Sequence, residues 1–390
     1  MKSTLAKNSF KRGFAAAAAA FALISGPALA QEPIKIGAFL SVTGGAAFLG
    51  DPEQKTLELY VGKINAAGGV LGRKLQLVSY DSAGDSEKAR TFVKRLIEQD
   101  KVDVIVGGST TGETMAVIPL VEAAQIPFIS LAGAVVITEP VKKWVFKTPQ
   151  TDRMACEKIF VDMQARKLSK IALISGNGGF DKSMRAECLK VATTHHVEVL
   201  ADETYGASDT DMTAQLTKIK NSAPQAIITW TIGPVGSIVA KNKAQLGIAI
   251  PLFQCHGLPD PKYIELAGKA AEGDRMPATK LMLGDALSSA DPQKKVISEF
   301  IHLYRDVYKH DKEFPINTHS GYAWDALTIV ANAMQKAGTD PKALRAAIEQ
   351  TKGYVGLSGV YTLTAEDHNG LDVDSLVMVQ VKDGKFVPAE

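Results

Sequence analysis

The chain has 390 residues, with 44 Lys and Arg set against 42 Asp and Glu, and it is 46% hydrophobic but only 7% aromatic. A balance this even, with no basic stretch along the chain, excludes a nucleic-acid partner recruited by bulk charge and leaves any anion site to local chemistry. The length exceeds what one core serves, so two lobes are expected, with the aliphatic-rich composition of an α/β protein.

The first thirty residues differ in kind from the rest. Lys2, Lys7, Lys11 and Arg12 give a basic start without an acidic residue, an apolar run extends from Phe14 to Ile24, and Ser25-Gly26-Pro27 breaks it before Ala28-Leu29-Ala30. This is the order of a secretory signal, with cleavage expected after Ala30, and the apolar run is well short of the ~20 residues of a membrane span. Cleavage removes four of the 44 basic residues and leaves 40 against 42 acidic ones. No cysteine follows the cleavage point, which argues against a lipid anchor, and no later segment reads as transmembrane. The expectation is an exported monomer free in the periplasm. Its three cysteines, Cys156, Cys188 and Cys255, leave at least one free thiol; whether Cys156 and Cys188 pair is open from spacing alone.

After Pro33, short apolar runs alternate with helical patterns. Strand Ile34 to Leu40, helix Pro52 to Asn65, strand Lys74 to Tyr80, helix Ser86 to Gln99, strand Val102 to Val106, helix Glu113 to Ala124 and strand Pro127 to Ser130 make a first round. A second begins near Thr151: helix Met154 to Arg166, strand Ile171 to Ser175, helix Ser183 to Thr193, strand Val197 to Ala201, helix Met212 to Lys220, strand Gln225 to Thr229, helix Gly236 to Gln245 and strand Pro251 to Gln254. The strands are nearly continuous apolar runs, as when helices cover both faces of a parallel sheet. Alternation of this kind predicts two doubly wound α/β lobes. Residues 292–350 read as three amphipathic helices, and the tail from Tyr354 to Val387 as short strands around turns at His368-Asn369-Gly370 and Asp383-Gly384.

Ligands of open α/β sheets bind beyond the carboxyl ends of the strands. One such end is Gly107-Gly108-Ser109-Thr110-Thr111-Gly112, where glycines permit close backbone approach and hydroxyls meet free helix N-terminal amides. Simple capping of the next helix by Ser109 or Thr110 is the plainer alternative. Ser130-Leu131-Ala132-Gly133-Ala134 forms a second small-residue turn. On the other lobe, Ser175-Gly176-Asn177-Gly178-Gly179-Phe180, Trp230-Thr231 and Cys255-His256-Gly257 end strands. Hydroxyls and amides on one lobe, with Phe180 and Trp230 on the other, suit a solute with a carboxylate head and an apolar body.

Enzyme readings fare poorly. Asp181 stands where a dinucleotide turn needs its third glycine, no Walker lysine or HExxH motif occurs, and the segment Gly107 to Thr111 lacks the second glycine of a nucleophile elbow. The seven histidines are scattered apart from His195-His196, a poor metal site by itself. No catalytic residue, cofactor or metal is expected.

The segment Asn65-Ala66-Ala67-Gly68-Gly69-Val70-Leu71-Gly72-Arg73-Lys74-Leu75 followed by Tyr80-Asp81 resembles the leucine/isoleucine/valine-binding family of periplasmic proteins. So do Leu96-Ile97 with Val102-Asp103-Val104-Ile105-Val106-Gly107, and Gln125-Ile126-Pro127-Phe128-Ile129-Ser130. The resemblance runs through nearly the whole mature chain. It implies two lobes joined by three crossings that close on a solute, residues 31–148 with 278–355 forming one and 149–277 with 356–390 the other. It also implies delivery to the membrane permease of an ABC importer; a sensing role would use the same clamp with another partner.

By that resemblance Ser109 matches the serine that holds the ligand carboxylate. Phe48 and Leu49 match residues around the ligand side chain, Phe180 an aromatic position on the second lobe, and Ala132 the residue whose backbone faces the ligand. The family's amino-acid binders hold the ammonium with a threonine and an acidic residue, positions that here match Ala134 and His256. An unpaired buried ammonium costs several kcal/mol, and neither residue supplies a carboxylate. The expected ligand is therefore an amine-free acid, aromatic or 2-oxo, with a branched-chain amino acid as the alternative. The candidate site comprises Phe48, Leu49, Ser109, Thr110, Thr111, Ser130, Leu131, Ala132, Gly133, Phe180, Trp230 and His256.

Overall fold

The computed structural model describes residues 32–206, 209–312 and 315–390; the expected signal segment lies outside them. In chain order the first lobe begins with β1 (Ile34–Leu40), α1 (Ala47–Ala66), β2 (Leu75–Asp81), α2 (Ser86–Arg95), β3 (Val104–Gly107), α3 (Thr111–Ala124), β4 (Phe128–Ser130) and β5 (Val145–Lys147). The second lobe follows with α4 (Asp152–Ala165), β6 (Lys170–Ser175), α5 (Gly179–Ala192), β7 (Glu198–Thr204), α6 (Thr213–Asn221), β8 (Ala226–Trp230), α7 (Val235–Gln245), β9 (Leu252–Gln254), α8 (Pro261–Ala267) and β10 (Arg275–Thr279). The chain returns through α9 (Lys294–Ile301), α10 (Thr318–Ala337), α11 (Pro341–Glu349), β11 (Tyr354–Val355) and β12 (Val360–Tyr361), and ends on β13 (Leu376–Lys382) and β14 (Lys385–Pro388).

The first sheet is parallel with the order β2-β1-β3-β4-β5. Leu57, Val61 and the apolar face of α10, including Tyr322, Leu327 and Val330, cover one side, while Val93, Val117 and Val121 from α2 and α3 cover the other. The second sheet has the order β14-β13-β10-β9-β8-β6-β7, parallel through β10 and then antiparallel through β13 and β14. The doubly wound expectation therefore holds for both lobes, with a mixed edge on the second.

Two expected crossings fall later than 278 and 356. Ala278 and Thr279 complete β10, paired to Val377 and Leu376 of the second sheet. Residues 356–371 stay with the first lobe because their apolar side chains do: Tyr361, Leu363 and Leu371 are buried in its core, and Tyr361 Oη donates to Thr148 O at 2.7 Å. Sequence patterning passed over β10 because Pro277 sits inside it, a residue that argues against a strand.

Helix α1 starts at Ala47, ahead of the expected Pro52. Pro52 has no N–H, so the carbonyl of Phe48 four residues earlier lacks its helical donor. Asn317 Nδ2 supplies one at 3.3 Å. The same amide nitrogen donates to Asp260 Oδ2 of the second lobe at 2.6 Å, and Asn317 Oδ1 caps α10 by accepting from His319 N and Ser320 N. Cys156 and Cys188 are bonded, joining α4 to α5, and Cys255 is free and buried.

Candidate functional site

The ends of β3 and β4 are built for close approach. Gly107 and Gly108 have φ of 154° and 70°. A β-carbon would lie 2.4 Å from Phe39 O at Gly107 and 2.4 Å from Thr114 Oγ1 at Gly108, so no larger residue fits. The turn delivers Ser109 to the cleft and Thr110 to the N-cap of α3, where Thr110 and Glu113 form a reciprocal capping box.

A partly open cleft of about 370 Å³, solvent-facing space included, lies between the two lobes. Leu49, Ser109, Thr110, Thr111, Leu131, Ala132 and Gly133 line it from the first lobe, and Phe180 and His256 from the second. These nine sequence-predicted residues are brought together. Three others are not. Ser130 lies beneath the cavity, its Oγ 2.9 Å from Thr114 Oγ1 and accepting from Ala132 N at 3.1 Å, so it shapes the turn. Phe48 turns into a neighbouring space beside Gly233 and Pro234. Trp230 is the last residue of β8 and fully buried in the second core, where strand alternation sends its ring.

Sequence reasoning missed His319 and Tyr322, which enter the cavity from the first turns of α10. The Asn317-Thr318 start marks a helix N-terminus, but strand-end logic does not look for ligands there. Ile232, Gly257 and Pro149 complete the wall.

The inner lining holds no carboxylate among the described residues. Burial, then Lys147 and His319, push His256 down to about 3, and burial pushes His319 down to about 4. Both are neutral imidazoles at physiological pH. Nδ1 of His256 is buried without a hydrogen-bond partner. Lys147 is fully buried behind the wall, its Nζ donating to Gly133 O at 2.6 Å, and burial brings it down to about 7. Ala134 is wholly buried in the first core and contributes no side-chain acceptor.

Helices α3 and α5 begin on opposite lobes and meet at the cavity edge. Thr111 Oγ1 is buried there without a partner. Helix N-termini carry partial positive charge, and two facing one another favour an anion between them. Beside this cleft, sharing Thr110, Thr111 and Phe180, is a larger open one of about 1350 Å³ with solvent included, bounded by Gly45, Gly112, Asn177, Asp181, Tyr205 and Asp209 among others. Burial raises Asp181 to about 6, against its hydrogen bond from Gly178 N. No cluster of metal-ligating side chains occurs among the described residues, and no described helix is long and apolar enough to cross a membrane.

A family model described as periplasmic binding protein matches residues 33–385. The leucine-, isoleucine-, valine-, threonine- and alanine-binding protein of Pseudomonas aeruginosa is 26% identical over 337 residues, spanning 85% of this chain and 86% of that one. Among solved structures, an extracellular ligand-binding receptor from Rhodopseudomonas palustris HaA2 has a TM-score of 0.83 at 25% identity, covering 92% of this chain and 99% of that one. The branched-chain amino acid transporter substrate binding protein of Streptococcus pneumoniae, in complex with isoleucine, has a TM-score of 0.80 at 26% identity, with 92% and 99% covered.

Proposed function

The chain belongs to the periplasmic binding protein family, and from that premise we propose that it captures a small carboxylate for the permease of an ABC importer. The observation that carries this reading is the facing of the Ser109–Thr111 turn by Phe180 and His256 across one cavity. The carboxylate docks on the Ser109 hydroxyl and the first amides of α3. The second lobe then closes with the Phe180 ring and the α5 N-terminus, excluding water and strengthening each polar contact. Export to the periplasm follows from the signal-like first thirty residues, with cleavage after Ala30.

Relatives named for leucine, isoleucine and valine support a branched-chain amino acid as the solute. A second reading rests on the lining itself: neutral His256 and buried Ala134 offer an ammonium no charged partner, which favours an aromatic or 2-oxo acid. An amino acid would have to reach Asp181 or Asp209 in the outer cleft. A thermal-shift screen of protein refolded free of carried-over ligand separates the two. Stabilisation by leucine, isoleucine or valine supports the first reading; stabilisation by benzoate or 2-oxo acids alone supports the second. No shift with any small carboxylate would overturn both.

A further inference from the structure

Beneath Ser109 lies a carboxyl group that the capture mechanism does not yet use. Glu53, on α1, has no exposure, and its Oε2 lies 2.5 Å from Ser109 Oγ. Its other oxygen, Oε1, is buried without a partner. Ser109 Oγ also accepts from Ser41 N at 3.0 Å.

The neighbouring acid is differently placed. Glu113 of α3 accepts from Ser41 Oγ at 2.7 Å, from Thr110 N at 3.1 Å, from Thr110 Oγ1 at 2.8 Å and from Ser82 Oγ. Donors on both oxygens suit a charged carboxylate. Glu53 has one neighbour and one orphan oxygen, next to that charge. The Tyr322 phenol from α10 faces the same region and is neutral, burial holding its titration far above the physiological range. Among the described residues, no cation in the hydrogen bonds and ion pairs of Glu53 offsets a second negative charge. A proton on Glu53 removes the conflict, because a neutral acid needs only its O–H placed.

We propose that Glu53 is held as a neutral acid that donates its O–H to Ser109 Oγ, so that the Ser109 proton is left to point into the cleft. Ser109 Oγ then accepts twice, from Ser41 N–H and from Glu53, and its own hydrogen has the cavity as its direction. With Glu53 ionised, the Ser109 proton would turn back to the carboxylate and present a lone pair to an arriving anion. Glu53 is thus a positioning residue that makes Ser109 a donor. This rests on Ser109 as the carboxylate anchor, but its test needs no ligand. Burial raises Glu53 well above the ordinary carboxyl range; a hydrogen bond donated by Ser109 would pull it back down, and Glu113 raises it further.

Infrared difference spectroscopy of the folded, ligand-free protein reads the proton directly. At a pH of about 8 the other raised acids with assigned positions, Asp274 at about 7 and Asp181 and Asp325 at about 6, are largely ionised. The expected result is a neutral carboxylic-acid carbonyl band in the wild-type protein, lost in Glu53→Gln and shifted in Ser109→Ala. A wild-type spectrum without that band overturns the proposal whether or not either variant folds. Asp152 and Asp260 are raised too, so the Glu53 band is read as the wild-type minus Glu53→Gln difference; a difference without a carboxylic-acid band, or one unmoved by Ser109→Ala, overturns the proposal as well. Failure of every carboxylate in the thermal-shift screen would instead strike the anchor reading and leave the band where it is.

Discussion

Gly112 and Gly179 face one another across the cleft, close enough that a β-carbon on Gly179 would lie 3.4 Å from the Gly112 backbone nitrogen. They begin the helices of opposite lobes, so the two positive helix ends converge where the solute carboxylate is proposed to sit. Deeper in the cavity, a β-carbon on Gly133 would lie 2.9 Å from His256 Nε2 and 3.3 Å from Phe180 Cε2.

Gly133→Ala should therefore hold the lobes apart while leaving each lobe folded. Affinity for the stabilising ligand should fall roughly tenfold or more, since overpacking at a closed contact typically costs ~1–3 kcal/mol. Small-angle scattering should show the variant failing to contract on ligand addition. Normal contraction with normal affinity would show that closure does not bring Gly133 and His256 together.

Ser109→Ala removes the proposed donor to the carboxylate. A hydrogen bond to a charged group is worth roughly 1.5–3 kcal/mol, so calorimetry should find binding weakened by about one to two powers of ten. Unchanged affinity would take Ser109 out of the anchor.

The cysteines give a direct chemical prediction. Burial pushes the Cys255 thiol up to about 12, and Cys156 and Cys188 are joined. The native protein should be silent to a thiol reagent, and the unfolded, unreduced protein should expose the Cys255 thiol alone. Reduction should lower stability by about 2–4 kcal/mol, as loss of a bond closing a loop of this length does. Free thiol from Cys156 or Cys188 in the unreduced protein would refute the pairing.

Asp274 is buried against the Tyr263 hydroxyl, which donates to its Oδ2, and burial raises it to about 7. The folded state holds a proton that the unfolded chain has lost, so this site's contribution to stability is present at acid pH. It is lost as pH rises from the ordinary carboxyl range through about 7. Asp274→Asn keeps an acceptor for Tyr263 and cannot ionise. Thermal unfolding should find the variant gaining on the wild type between about pH 5 and pH 8. A pH-independent difference would show that Asp274 does not stay protonated in the folded protein across this range.

Much of this architecture is readable from residues alone. Ile34 to Leu40 was expected as a strand with the bounds it has, because an uninterrupted aliphatic run between turn residues has little alternative. The cavity-lining loops were legible for a related reason: parallel strands put their carboxyl ends on one rim, so Ser109 and His256 could be found by counting strand ends. His319 and Tyr322 were hidden because they reach the same rim from a helix packed on the first sheet. Trp230 misled because its position one residue inside β8, rather than past its end, decides whether the ring sees ligand or core. Pro277 concealed β10, and with it the true place of a crossing.

The missing hydrogen on Pro52 has a mechanical consequence. It leaves Phe48 with a carbonyl that Asn317 must serve with the nitrogen that also reaches Asp260 on the other lobe. In the opening motion proposed for capture, one amide cannot follow two bodies through a rotation, so one attachment would break outright rather than both stretch. A hinge of that kind would work like a detent, with a threshold at the closed angle. A proline five residues into a helix, ordinarily a blemish, supplies its catch.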